Sequence, residues 1–276
     1  MTLATDEIIS RVDDTGVAWL VLNRPDAANA MTRDQRARIL ELLDQWGADI
    51  AVRAIVITAS GDRHFCTGAD LRALPPAGPQ PEGAPERPIG TVMRGLESSL
   101  GAQRLITAIQ DCPKPIIAAV NGTAAGLGAH VVLACDLVIA ADTARFIEVS
   151  VRRGILPDGG GPYLLTQLVG PQKAKELFFF GDDVPADEAL RIGLCNRVVP
   201  AAELEGAARE WAERLAAGPT FSLALMKRLV NSALEGDRGA AFRAEALAVE
   251  VSMQSADANE GVQAFVERRP VEFRGW

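Results

Sequence analysis

The chain predicts an α/β core followed by an all-helical region. Three observations carry this. Short, continuous apolar runs recur at residues 54–58, 116–120 and 137–140, each the length of a buried strand. Helix-patterned segments alternate with them, which makes strand–helix–strand units. From Pro171 onward the pattern changes to helices alone, punctuated by Gly181, Gly193, Pro219 and Gly236.

Residues 8–12 and 17–22 read as two strands around the turn Asp13-Asp14-Thr15-Gly16. Asn23-Arg24-Pro25 ends the second. Residues 32–46 read as a helix, apolar at Ile39, Leu42, Leu43 and Trp46 and capped by Thr32. Residues 54–58 form the next strand, and His64 follows in a polar loop as a solvated residue. Residues 74–90 hold six prolines and three glycines. Proline removes the ladder donor and breaks helices, so this segment is a loop or lid, or a surface insertion. Residues 91–110 predict a helix with an apolar face running from Val92 to Ile109.

The chain is organised around residues 112–140, CPKPIIAAVNGTAAGLGAHVVLACDLVIA. A strand set off by Pro113 and Pro115 reaches the turn pair Asn121-Gly122. Gly126 and Gly128 then lead into a helix over 129–134, and 137–140 is the next strand. The first amides of a helix have no internal acceptor and sit at its positive dipole end. A glycine-rich bend there lets a ligand oxygen approach the backbone. A dinucleotide fingerprint is a weak alternative, because Val131 stands where its third glycine belongs. Tight strand–helix packing is the other alternative. Residues 144–149 read as a strand. Helices follow over 172–180, 186–192, 201–217, 221–234, 240–254 and 258–267.

Composition narrows the function classes. A length of 276 residues suits one large domain or a domain with an appendage, and 48% hydrophobic content supports a sizeable core. No apolar run approaches ~18 residues, so no membrane span is expected. A net charge of −8 argues against nucleic acid as partner. Cys66, Cys112, Cys135 and Cys195 are scattered without a C-x-x-C pair. They read as reduced, mostly buried thiols of a cytoplasmic protein. Two histidines and no His/Cys cluster give no metal site.

A second motif, Phe65-Cys66-Thr67-Gly68-Ala69-Asp70-Leu71, follows the 54–58 strand. Together, FCTGADL and PKPIIAAVNGTAAGLGAH resemble the crotonase superfamily, the enoyl-CoA hydratase/isomerase family. The resemblance runs from about Val17 to about Phe273. It implies a ββα spiral core over 1–200 and a helical oligomerisation region over 201–276. It implies an acyl-CoA thioester substrate and no separate cofactor, since CoA belongs to the substrate. It also implies a homotrimer, often paired into a hexamer. The thioester oxygen is expected between the backbone N–H groups of Ala69 and Leu127, an oxyanion hole. Arg24, Thr67, Gly68, Asp70, Leu71 and Gly126 are expected around the CoA ester. Asp70 is expected to fix the loop, and Arg24 to touch a phosphate or to remain a solvated loop arginine. Phe265 and Arg268 match positions that reach a neighbour's CoA, with helix packing as the other role for Phe265. Asp136 resembles a structural position.

The family's two hydratase glutamates are replaced here by His130 and Ser150. Asp158, in Leu156-Pro157-Asp158-Gly159-Gly160, matches the place of a catalytic aspartate in some isomerases of the family. A carboxylate in an apolar acyl pocket would have its pKa raised and could shuttle a proton. The other role for Asp158 is an Asx turn or helix cap. His130 is expected as a second acid/base, or else as a residue buried against the strand behind. Glu148 is a third-choice base, on one strand face with Ser150. The expectation is therefore an enzyme that isomerises a double bond through a thioester enolate. Hydration, CoA-ester ring opening or hydrolysis, and a non-catalytic CoA-binding subunit are the alternatives.

Overall fold

The computed structural model describes residues 7–73, 95–233 and 235–276. The loop read over 74–90 and the first residues of the helix read over 91–110 lie outside the described residues. Strands β1 (Ile8–Val12) and β2 (Val17–Leu22) pair antiparallel and are followed by helix α1 (Arg33–Ala48). Thr32 caps α1 as expected: its hydroxyl accepts from Gln35 N–H, and the Gln35 side chain accepts from Thr32 N–H. Then come β3 (Ala54–Ala59), β4 (His64–Cys66), α2 (Ala102–Asp111), β5 (Ile116–Val120), β6 (Thr123–Ala125) and α3 (Leu127–Ala134). Strands β7 (Leu137–Ala141) and β8 (Arg145–Ile147) lead to α4 (Gly161–Phe180), which is kinked at Gly170.

From β3 to β8, successive strands alternate between two sheets. One sheet has the order β1-β2-β3-β5-β7-β10 and the other β4-β6-β8-β9, where β9 is Asp183–Pro185 and β10 is Arg197–Val199. Each turn of chain thus adds one strand to each sheet and then a helix, which is a spiral. Strand β5 is buried along its whole length between β3 and β7. That burial explains its continuous apolar run.

The remaining helices are α5 (Ala186–Arg191), α6 (Leu204–Ala216), α7 (Thr220–Ser232), α8 (Arg238–Ser252) and α9 (Ala256–Glu267). The tail is tied to the core through Lys227 of α7. Its ammonium donates to Asp136 Oδ2 at 2.8 Å and to the carbonyls of Ile109 and Lys114. Asp136 in turn accepts from Ile116 N–H at 2.7 Å, so it secures the head of β5. Helix α8 buries none of its residues in this chain. No helix among the described residues is long and apolar enough to cross a membrane.

Three expectations about elements are corrected. Helix α2 begins at Ala102; residues 97–101 are turn, where Gly101 N–H donates to Ser98 O and Ser98 Oγ to Gly95 O. The strand read over 144–149 stops at Ile147, and the chain winds into a 3-10 helix over Val149–Arg153. Glu148 and Ser150 therefore do not share a strand face. His64 opens strand β4, and its carbonyl accepts from the Asn29 and Asn121 side chains.

Candidate active site

The two motifs meet because Gly128 has no side chain. A Cβ there would fall on the Cys66 carbonyl, so β4 and α3 can touch only at glycine. This close packing brings the loop after β4 beside the start of α3. Met31 forms a parallel bridge to Ala69: its N–H donates to Gly68 O at 2.8 Å, and its carbonyl accepts from Asp70 N–H at 3.0 Å. Such a bridge uses the groups flanking Ala69 and turns Ala69's own N–H the other way. Leu127 is the first residue of α3, reached through Gly126 at φ +52°, a backbone region glycine enters without a steric cost. Among the described residues neither the Ala69 nor the Leu127 N–H donates a hydrogen bond. Both residues line one cleft of about 440 Å³. Two free donors at such a cleft can hold one developing oxyanion.

The loop is held rigid by charge. Asp70 is buried and accepts from Arg72, Nε at 2.9 Å and Nη2 at 3.1 Å, and from Arg24 Nη1 at 3.0 Å. The Arg72 hydrogen bonds foremost, then Arg24, hold its carboxyl down to about 2 against the opposing effect of burial. Arg24 is also paired with Glu7 at 3.2 Å and donates to Ala30 O. It thus serves as a strut of the loop in this chain, and it is Arg72 and Arg153 that line the cleft. Thr67, Gly68, Asp70, Leu71 and Gly126 line it as well, and Thr67 Oγ1 donates to Ala28 O. Asn29 was not singled out in the sequence. It is buried, its amide donates to Ser60 O and His64 O, and its Oδ1 accepts from Arg24 N–H. The only hint was an asparagine beside a proline-ended strand, the kind of residue that tolerates the φ of +51° found there.

Asp158 lines the cleft beside Leu127 and Ser150. It stands on the exposed side, so the expectation of a carboxylate enclosed by apolar groups is corrected for this chain. It is not a helix cap: Gly160 holds the N-cap of α4, with no side-chain cap bond. Its carboxylate makes no hydrogen bond or ion pair among the described residues. Its charge is felt by the half-buried Arg36, whose pKa is lowered by burial and partly restored by Asp158. His130 is buried behind the cleft, and its Nε2 lies 3.0 Å from Glu148 Oε2. Glu148 is therefore turned inward, away from Ser150, which lines the cleft. Phe265 is 84% exposed, which removes a helix-packing role within this chain, and Arg268 ends α9 in the left-handed conformation.

Alternating sheets, a spiral of ββα turns and a helical tail define the crotonase class of fold. A crystal structure of enoyl-CoA hydratase/isomerase from Cupriavidus metallidurans matches with a TM-score of 0.87 at 30% identity, covering 100% of this chain and 98% of that one. Residues 13–275 match the family model "Enoyl-CoA hydratase/isomerase". Among curated relatives, the Rhodobacter capsulatus protein named "Probable enoyl-CoA hydratase" is 38% identical over 261 residues, 94% of this chain and 95% of its own. The 1,2-epoxyphenylacetyl-CoA isomerase of Escherichia coli is 35% identical over 270 residues, 97% and 98%. The chain belongs to the enoyl-CoA hydratase/isomerase family and is an enzyme acting on CoA thioesters.

Proposed function

We propose that the protein isomerises a double bond of an enoyl-CoA ester, with Asp158 carrying the proton. The observation that supports this reading is the state of the carboxylates. Asp158 is in the cleft and unpartnered, Ser150 stands where a hydratase glutamate is expected, and His130 is committed to Glu148. With a 3-enoyl ester, the Asp158 carboxylate takes a proton from the carbon next to the thioester. The electron pair moves onto the thioester oxygen, which the Ala69 and Leu127 N–H groups stabilise, at about 3 kcal/mol per donor. The resulting dienolate takes a proton back at the γ carbon from the Asp158 carboxyl, which is exposed and exchanges with solvent, giving the conjugated 2-enoyl ester. Proton, electron pair and charge all balance, so the reaction needs no cofactor beyond the CoA of the substrate. The tail's exposed apolar residues, Phe242, Leu247 and Phe265 among them, suit assembly of copies into a trimer or a hexamer.

Hydration is the second reading, favoured by the hydratase name of the R. capsulatus relative. A proton NMR time course in D2O separates the two, using 2-enoyl- and 3-enoyl-CoA esters of varied length and branching. Isomerisation moves the double bond and incorporates deuterium at the α or γ carbon. Asp158→Asn should abolish this while leaving CoA-ester binding intact. Appearance of a 3-hydroxyacyl product, or full turnover by Asp158→Asn, would overturn the proposal.

A further inference from the structure

The buried pair behind the cleft has a place in the reaction that its distance from solvent conceals. His130 is 1% exposed and Glu148 6%. Burying two such groups is costly unless each is satisfied. One bond satisfies them in part, Nε2 to Oε2 at 3.0 Å, while Nδ1 has no partner. The surroundings of the ring show what it supports. A Cβ at Gly161 would clash with Nε2, Cε1 and Cδ2 of the imidazole, and one at Gly159 would come within 3.7 Å of Nδ1 and 3.0 Å of Leu127 Cδ1. The turn that carries Asp158 is therefore laid directly over the ring. That turn has φ of +57° at Gly159 and +79° at Gly160, and it closes with Gly161 N–H donating to Asp158 O. From below, the ring belongs to the first turn of α3: His130 N–H donates to Gly126 O at 3.0 Å, the carbonyl beside the Leu127 amide.

One side chain thus spans the two halves of the proposed chemistry, the amide that would hold the oxygen and the turn that would move the proton. We propose that His130 is a positioning residue that sets Asp158 against the Leu127 amide, with Glu148 fixing the orientation of the ring. This rests on the reading of Asp158 given above. It makes His130 not the second acid/base but the seat on which the acid/base stands. A seat that fills its space has a specific consequence: what it supports should shift when either the ring or the glycine above it changes size.

The test is kinetic, on the full-length protein, with concentrations corrected for active sites by acyl-CoA binding. His130→Ala should lower kcat on the order of 10²-fold, the cost of a displacement of about 1 Å at a reacting group, with KM within about threefold. Glu148→Gln keeps a hydrogen-bonding partner for the ring and should retain most of kcat. Glu148→Ala should fall as His130→Ala does, and the double variant should be no worse than either. Gly161→Ala should be severely impaired alone and, in the His130→Ala background, where the ring no longer occupies the space, should add no loss beyond that of His130→Ala. If Gly161→Ala does not fold, the Glu148→Gln and Glu148→Ala comparison decides. Full kcat in His130→Ala, equal kcat in the two Glu148 variants, or losses that multiply in the double variant would overturn the proposal. Asp158→Asn measured alongside separates the two failures. If it retains turnover, the reading of the site fails; if it is dead while His130→Ala keeps full kcat, only the positioning role fails.

Discussion

Gly128→Ala should damage catalysis more than it damages the fold. The added Cβ would lie 2.7 Å from both the carbonyl carbon and the Cβ of Cys66, and closer still to the carbonyl oxygen. Ordinary contact begins at 3.4 Å. Relieving only the first two contacts requires β4 and α3 to part by about 0.7 Å, and the oxygen demands more. Overpacking of this kind costs about 1–3 kcal/mol, or roughly 2–12 °C in melting temperature for a chain of this size. The displacement falls between Ala69 and Leu127, whose amides converge on one oxygen in the proposed reaction. A shift near 1 Å there corresponds to about 10²-fold in rate. The assay is kcat/KM on the best enoyl-CoA ester, beside thermal unfolding at fixed protein concentration. Gly206→Ala is the control: it is an exposed position inside α6 with nothing near its added Cβ. It should stabilise by about 0.5–1 kcal/mol and leave kcat/KM unchanged. Wild-type kcat/KM in Gly128→Ala, or a loss that only tracks the unfolded fraction, would refute the claim that this contact sets the amide pair.

Lys227→Met should destabilise the protein by about 3 kcal/mol at pH 7, because it leaves the mostly buried Asp136 carboxylate without its cation. Burial already pushes the Asp136 pKa above 3.8 in the fold, with Lys227 the main opposing influence. A raised acid contributes its stability at low pH and loses it as pH rises through the folded value. The variant's deficit should therefore be small near pH 4 and grow toward neutrality, read as the difference between wild-type and variant urea unfolding curves. A deficit independent of pH would contradict this. Asp70 has the opposite sign: its folded pKa of about 2 lies below 3.8, so its contribution is present above pH 4 and lost as pH falls toward 2. The stability gap between wild type and Asp70→Asn should shrink across that interval, and a gap that stays constant would show that the two arginines do not hold the carboxylate.

Those elements whose physics is local were legible in the sequence. Strand β5 could be read because a strand buried on both faces is a bare apolar run between prolines. Helix α1 could be read because Thr32 and Gln35 carry both halves of a capping box. Four of the five three-residue strands, β4, β6, β9 and β10, were missed, since a segment that short has no period to read; β8 was found only as part of the longer strand read over residues 144–149. The spiral hands β4 and β6 to the second sheet, β9 joins β8 there antiparallel, and β10 extends the first sheet beside β7. At the site, the candidate amides could be located because glycine marks a backbone that something must approach. The side-chain partnerships could not. Asp70 meets Arg24 across 46 residues of chain and Glu148 meets His130 across 18. Nothing in either segment alone signals the other, and the inward turn of Glu148 depends on β8 stopping one residue before it.

These partnerships decide which carboxylate can do chemistry. An acid/base needs a lone pair that is not already spent and a route to the reacting carbon. Asp70 has the route but not the lone pair, because two guanidinium groups occupy its oxygens. Glu148 has a buried lone pair on His130 and no opening to the cleft. Asp26 also lines the cleft and forms no ion pair among the described residues, but it stands on the exposed turn over Pro25–Ala27, where Pro25 faces Gly61. Asp158 combines a free carboxylate with a turn packed on Leu127, since a Cβ at the adjacent Gly159 would come within 3.0 Å of Leu127 Cδ1. On the proposed reading, a site with His130 and Ser150 at the two expected glutamate positions and an unpaired aspartate in the cleft is suited to lifting and returning one proton. It is less suited to activating water, which calls for a second group to orient the nucleophile. The Asp158→Asn time course in D2O therefore tests which of these two kinds of chemistry the cleft performs.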